Sequence, residues 1–320
     1  VYLHHVNQQI DAGTDSGIVF VSVLLENPAT APNAVTVSGF GSGYTQTETG
    51  GLQLKMSPDY RVSEDWITNA PNTRLAATIL APGEGVILFQ RTLARSREID
   101  GRFEVIASGP VTIQVVASAT GVLSDVRTTA AQDAPGDIRV SNPDAGLFGR
   151  TAGTYAHDTW QGTIDIAVPE APRSIGFVVN TATGSGFRQV QAFPALTHFT
   201  ESARESVGMY GNVYDLTLRL RHDGAGASAR RVRVSFASLS TGTPSRWWDG
   251  AGIFNGMLEW ILNKRATRAG EPWLPTEEIR VDVLGEVLVE PGITRNVDFR
   301  AMVPGLTSIP QALFLETVVP

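Results

Sequence analysis

Apolar and polar side chains alternate with period two along much of this chain. In residues 213–221, Tyr214, Leu216, Leu218 and Leu220 fall on one face, while Asp215, Thr217, Arg219 and Arg221 fall on the other. That pattern predicts an antiparallel strand with one face buried. Val232, Val234 and Phe236 alternate with Arg231, Arg233 and Ser235 in the same way, and arginines on an exposed face discourage edge-to-edge pairing. Residues 18–25 are apolar on both faces, as a central strand covered from two sides would be. Further strands are predicted over 1–6, 34–40, 86–93, 102–107, 111–118, 160–168, 174–180, 187–193, 278–284, 295–301 and 311–318. Turn chemistry separates them at Asn27-Pro28, Asp100-Gly101, Gly184-Ser185-Gly186 and Asn255-Gly256. Helical signal is sparse: Ser63 as an N-cap, with acids in the first turn, opens one short helix, and 124–131 forms another.

The two ends of the chain follow one plan. Near the start, a strand over 18–25 runs into Asn27-Pro28, a second strand follows over 34–40, and Pro82-Gly83 precedes Val86–Phe89. In the C-terminal third, a strand over 213–220 meets Asp223-Gly224, Arg231–Phe236 follows, and Pro291-Gly292 precedes Arg295–Phe299. Strands at regular intervals with few helices predict an all-β protein of two β-sandwich modules, Ig-like or jelly-roll-like. Their expected bounds are 1–120 and 200–320, with a bridging loop and β-rich segment over 121–199.

Composition narrows the function classes. At 320 residues, two domains are the default expectation. Apolar residues at 42% and charged residues at 18% are enough to form cores and too little charge for a disordered chain. A net charge of −7 argues against a phosphate-binding surface, so no nucleic-acid partner is expected. Cysteine is absent, which removes disulfides, thiolate metal ligands and cysteine nucleophiles together. No run approaches the ~18 consecutive apolar residues of a membrane helix, so no transmembrane segment is expected. The abundance of Thr, Ser, Gly, Ala and Val, with Arg largely replacing Lys, fits an exported bacterial β-protein.

Motifs in the second half carry a family resemblance. Leu147-Phe148-Gly149-Arg150-Thr151-Ala152-Gly153 leads into Trp160–Ile166, and Tyr210-Gly211-Asn212 opens the strand through Leu220. With Tyr2-Leu3-His4-His5 ahead of a strand ending in Asn27-Pro28, this pattern resembles domain-of-unknown-function family 3370, a bacterial family best represented in cyanobacteria. The resemblance implies an exported, envelope-associated β-protein and supplies no catalytic residues. The chain departs from the family pattern at Arg246–Trp273, which is richer in tryptophan.

Candidate chemistry is thin. His4 and His5 are adjacent on a strand and point to opposite faces, so they cannot readily chelate one ion. Asp11 and Asp15 sit in a Gly-rich loop whose oxygens suit Ca²⁺, without the position pattern of an EF-hand; a plain turn is the simpler reading. Tyr155, His157, Asp158 and Trp160 gather a base, an acid and aromatics, yet no Gly-x-Ser-x-Gly elbow occurs in the chain. Glu64 and Asp65 before Trp66, and Glu277 and Glu278 after Trp273, read as helix capping and a solvated strand start. The segment 245–275 stands out, holding Trp247, Trp248, Phe254, Trp260 and Trp273. Asn255-Gly256 suits a type I′ hairpin between 253–254 and 257–258, with a helix over 257–262 as the rival. Exposed aromatics anchor interfaces and also grip sugar faces.

These features predict a non-catalytic structural or assembly protein of the bacterial cell envelope, extracellular or periplasmic, with no cofactor and no metal. Its expected partners are other envelope or surface-layer proteins, or a second copy of itself, met through Trp247, Trp248, Phe254, Trp260 and Trp273. The alternative is a carbohydrate-binding module or glycan-acting enzyme that uses the same aromatics on a polysaccharide.

Overall fold

A computed structural model describes residues 1–7, 17–41, 45–47, 58–95, 97–131, 140–142, 147–148, 152–171, 173–180, 192–199, 202–206, 210–224, 228–238, 249–262, 281–303 and 311–318. The chain is all-β, as the alternation predicts, with two short helices among the described residues. It divides into two compact units, residues 1–139 with 199–201, and residues 140–198 with 202–320.

The first unit contains β1 (Tyr2–Val6), β2 (Val19–Glu26), β3 (Asn33–Phe40), β4 (Thr45–Thr47), α1 (Pro58–Ile67), β5 (Thr73–Leu80), β6 (Gly85–Leu93), β7 (Arg97–Ala107), β8 (Thr112–Ser118) and α2 (Leu123–Ala130). One sheet runs β1-β7-β3-β5, with β4 also on β7; the other runs β6-β2-β8. Val21, Val23, Leu25 and Phe89 from the second sheet share a core with Leu3, Val35, Val37, Ile99 and Phe103 from the first. The Phe89 and Phe103 rings meet at 5.3 Å. On the reverse face of β2, Leu24 packs with Val116 and with Val126 of α2. That second cover is why residues 18–25 are apolar on both faces.

Helix α1 begins at Pro58, five residues before the expected N-cap, so Ser63 is a buried mid-helix residue. Proline is favoured at the first helical position because it has no N–H to leave unpaired. The buried Val62, Ser63 and Ile67 set the helix face. Gly41 has φ +59°, and a Cβ there would strike the Val62 backbone, so glycine is required for this close approach. Strand β5 lay outside the expected set because Thr73–Leu80 is rich in alanine and lacks a clean alternation. It is held as an edge strand by pairing with β3.

The second unit contains β9 (Val140–Asn142), β10 (Leu147–Phe148), β11 (Gly153–Tyr155), β12 (Thr159–Ala167), β13 (Ser174–Asn180), β14 (Ala195–His198), β15 (Val213–Arg221), β16 (Arg230–Ser238), β17 (Asp249–Phe254), β18 (Met257–Leu262), β19 (Val281–Val289), β20 (Thr294–Met302) and β21 (Gln311–Val318). Two larger sheets run β12-β15-β20-β17-β18 and β13-β21-β16-β19; β9 pairs β10 and β11 pairs β14. Both larger sheets feed one core, with Tyr214, Leu216, Leu218, Leu220 and Phe299 from one and Val232, Val234, Phe236, Leu313 and Leu315 from the other. Phe236 stacks on Phe299 across the sheets at 5.8 Å. Strand β15 is antiparallel to β20, as its alternation predicts, but parallel to β12. Strands β12 and β13, from the stretch read as a bridge, thus pair within the second unit. The expected strand over 187–193 lies largely outside the described residues.

The repeated plan holds at the level of hydrogen bonding. In both units the strand after the Pro-Gly turn returns to pair with the first strand of the plan: β6 with β2, and β20 with β15. In both, the fourth residue of that turn closes it onto the first: Glu84 N–H donates to Ala81 C=O (3.0 Å), and Ile293 N–H to Glu290 C=O (3.1 Å). Gly83 and Gly292 adopt φ +73° and +74° at the third position, the signature of a type II turn. Each glycine N–H then donates to the carbonyl of a buried polar residue just past the first strand: Gly83 to Asn27 (2.9 Å) and Gly292 to His222 (2.8 Å). The side chains at those two positions continue the lock. Asn27 Nδ2 reaches the Ala31, Leu80 and Ala81 carbonyls at 2.9, 3.0 and 3.2 Å. His222 Nδ1 accepts from Gly224 N–H at 3.3 Å, which leaves Nε2 to donate to the Ser228 carbonyl at 3.1 Å.

The lock predicts which small changes destabilise most. Asn27→Ala orphans buried carbonyls and should cost about 2 kcal/mol. Gly83→Ala and Gly292→Ala should each cost about 1 kcal/mol, because an L-residue is strained at positive φ. Urea unfolding checks all three, and a Gly83→Ala cost no larger than that of an exposed strand alanine would count against the lock.

The opening histidines give a second prediction. His4 faces Asp100, with Nδ1 and Oδ1 2.5 Å apart, while His5 lies on the opposite, core-facing side of β1 with Leu3. Burial, with the neighbouring His4 adding to it, pushes His5 down to about 4. The unfolded chain therefore takes up this proton near pH 6.5 while the folded chain resists it until about pH 4. Stability should fall as pH drops through that window, and His5→Gln should flatten the slope in chemical denaturation at stepped pH.

Candidate functional site

The expected type I′ hairpin is present. Asn255 and Gly256 have φ +48° and +81°, and Phe254 pairs with Met257 across them, so the rival helix over 257–262 does not form. The hairpin extends the five-stranded sheet through β17, which pairs with β20 at Gly252–Phe254. Asn255 ties the tip down further: its N–H donates to the Asp298 carbonyl at 2.9 Å, and its Oδ1 accepts from Asp298 N–H at 3.1 Å.

Alternation decides what each hairpin residue does. Gly252, Phe254 and Ile261 face the core. Phe254 is 2% exposed and packs among the core residues, which corrects its assignment to a contact surface. It fits because Gly285 of the facing sheet has no side chain; a Cβ there would come within 2.7 Å of the Phe254 ring. Ala251, Ile253, Leu258 and Trp260 take the outer face, where Trp260 is opposite Ala251 and Leu258 opposite Ile253. Trp260 is half-buried, and at the tip Met257 and Leu258 are 60% and 38% exposed. Trp247, Trp248 and Trp273 lie outside the described residues, as do Asp11, Asp15, Glu277 and Glu278. Sequence reasoning overlooked Met257 and Leu258 because it followed aromatic residues; the signal was two large apolar side chains directly after a two-residue turn.

The outer face continues inward from the hairpin. Cross-strand register aligns Leu258, Ile253, Arg300, Asp215 and Gln161 in one row over all five strands. Below it run Thr217, which donates to Asp298 at 2.7 Å, and the Asp165–Arg219 pair at 3.2 Å. An apolar end thus grades into a polar, mixed-charge field.

At the far edge of the same sheet lies an open cleft of about 470 Å³, lined by Tyr155, Ala156, His157, Asp158, Thr159 and Gln161. The loop is anchored where Asp158 C=O accepts from Val213 N–H at 2.8 Å, and Thr159 Oγ1 donates to the Asp158 carboxylate at 2.9 Å. The His157 ring meets Phe193 at 5.9 Å, and Phe193 meets Trp160 at 5.4 Å. Trp160 itself packs against the core. Burial raises Tyr155 above the ordinary tyrosine range, which keeps its phenol protonated. Among the described residues of this lining, the one hydroxyl side chain, Thr159, is hydrogen-bonded to Asp158.

The remaining acidic candidates are structural. Glu64 pairs with Arg61 at 3.2 Å, and Asp65 accepts from Gly41 N–H at 3.0 Å while burial raises its carboxyl. Trp66 donates to Glu104 at 3.1 Å and carries Arg102 over its ring at 4.6 Å. Among the described residues no group of three or more metal-binding side chains converges, and no helix is long and apolar enough to cross a membrane.

The hairpin supplies its own test. Gly285→Val should drive Phe254 from its seat and destabilise the second unit by about 1–3 kcal/mol, whereas Leu258→Lys should leave stability within about 0.5 kcal/mol. Thermal unfolding of the two variants separates a core-facing from a solvent-facing side of the hairpin.

Comparison with known proteins bears on the segment that includes the cleft. Among curated proteins none matches. Among solved structures, the N-terminal CBM22-1-CBM22-2 tandem domain of Paenibacillus barcinonensis Xyn10C aligns with 100% of this chain and 75% of its own at 10% identity. Its TM-score is 0.20, too low to carry any argument. The model of a family described as protein of unknown function (DUF3370) matches residues 115–243, from within β8 to just beyond β16. Residues 115–243, which include the Leu147–Gly153 and Tyr210–Leu220 segments, are thus similar to the DUF3370 family.

Proposed function

We propose that this protein is a non-catalytic assembly component of the bacterial cell envelope, extracellular or periplasmic, acting through protein–protein contacts. The contact surface is the outer face of the β17–β18 hairpin with the sheet face beside it. One observation carries the reading: Leu258 presents a large apolar side chain to solvent on this face, with the exposed Met257 next to it at the hairpin tip. Exposed apolar groups beside a polar rim are the make-up of an interface with a dry centre. The row from Ile253 to Arg300 and Asp215 supplies that rim. Trp260 stands at the border between the two, half-buried and on the same face. The partner chemistry this favours is a protein surface with an apolar pocket and mixed charge around it, in another envelope protein or a second copy of this chain.

Site-specific photo-crosslinking in intact cells tests the reading. A photoreactive residue at Leu258 should give a discrete adduct with an envelope protein or with a second copy. The same residue at Ile293, an exposed apolar position at the opposite end of β20, should give none. Leu258→Lys should reduce co-purification of that partner at least about tenfold with the fold intact. Adducts at neither position, or equally at both, would remove the hairpin from the proposal.

A further inference from the structure

We propose that the cleft lined by Tyr155, His157, Asp158, Thr159 and Gln161 binds a neutral saccharide. The site is separate from the hairpin, at the opposite edge of the five-stranded sheet, and does not depend on the assembly reading. Its size, about 470 Å³, lies within the range of small-ligand clefts.

The lining selects the ligand class. An imidazole, a carboxylate, a hydroxyl and a carboxamide present donors and acceptors together, the chemistry that pairs with vicinal hydroxyl groups. Among the described residues the lining holds no lysine or arginine, which disfavours phosphate or another anion, and no aliphatic side chain larger than Ala156, which disfavours a lipid. Two of the liners are flat rings, Tyr155 and His157, which suit the C–H face of a pyranose.

The groups are held in advance. His157 leans on Phe193, which leans on Trp160 in the core margin, so the imidazole is braced from behind. Thr159 fixes the Asp158 carboxylate, and Gln161 Nε2 reaches Asp215 at 3.4 Å from the neighbouring strand. Pre-set side chains lose less freedom when a ligand arrives. The Tyr155 hydroxyl is itself buried, so this residue offers the cleft its ring rather than its oxygen. Gly153 lies at the root of the same loop, where a Cβ would collide with the Thr197 carbonyl, so β11 sits close against β14.

Titration calorimetry on the full chain with cellotetraose, maltotetraose and chitotetraose tests the proposal, with inorganic phosphate and spermidine as the charged probes. At least one tetrasaccharide should bind and both charged probes should not. Tyr155→Leu replaces the flat ring by an aliphatic group, so the variant should fold as the parent does and bind about fivefold more weakly. Gln161→Ala, at an exposed position, should weaken binding by a similar factor. Failure of all three sugars to bind at millimolar concentration overturns the proposal, as does binding that neither variant weakens. Binding of spermidine or phosphate in place of the sugars assigns the cleft to a charged ligand and overturns it equally.

Discussion

A single hydrogen-bonded lock recurs in both units, and the rest of the fold is arranged around it. The glycine N–H of a type II Pro-Gly turn donates to the carbonyl of a buried polar residue that ends the first strand of the plan. Those residues are Asn27 in one unit and His222 in the other, both essentially inaccessible to solvent. A polar side chain so placed must find partners for every donor and acceptor, or folding loses more than the bond would return. Asn27 meets that demand with three backbone carbonyls, His222 with one donor and one acceptor contact. The lock fixes where the chain leaves one sheet and re-enters the other, and so fixes the register of β6 on β2 and of β20 on β15.

Given that shared frame, the differences between the units become informative. The β1-β7-β3-β5 order of the first unit matches β13-β21-β16-β19 in the second, and β6-β2 matches β20-β15. Between β3 and β5 the first unit places β4, which joins the sheet on β7, and α1, which packs against β7 and β3. Between β16 and β19 the second unit places the β17–β18 hairpin, which instead widens the opposite sheet beyond β20. The first insertion supplies cover for its own unit. The second has one face spent on the core, through Phe254 and Ile261, and another turned outward. A hairpin of this kind is both a structural extension and an added surface.

Particular residues show how much of this was readable beforehand. The alternation of Tyr214 to Leu220 named its own core face correctly because a one-residue shift would expose four large apolar groups. Asn255-Gly256 named its turn because few other pairs accept two successive positive φ values. Phe254 was misassigned because an aromatic residue beside a turn looks the same whether it points inward or outward. Its direction is settled by Gly285, thirty-one positions away in the chain and on the facing sheet. Ser63 looked like a helix start for a similar reason: the residues that bury it belong to other strands. Tyr155, His157 and Asp158 were legible as a chemical grouping, but not as the wall of a cleft, since Phe193 and Val213 brace it from distant segments.

What the sequence by itself determined is local and periodic: the all-β class, most strands, the breaks at Pro82-Gly83 and Pro291-Gly292, the turn type at Asn255-Gly256, and the repeated plan. These follow from backbone sterics and from a side-chain period of two, which act over a few residues at a time. Only the tertiary structure decided which strands pair, that β12 lies parallel to β15, which face of the hairpin meets the core, and that one loop forms a cleft. Those outcomes depend on contacts between residues tens to more than a hundred positions apart, and no local pattern encodes the partner on the other side.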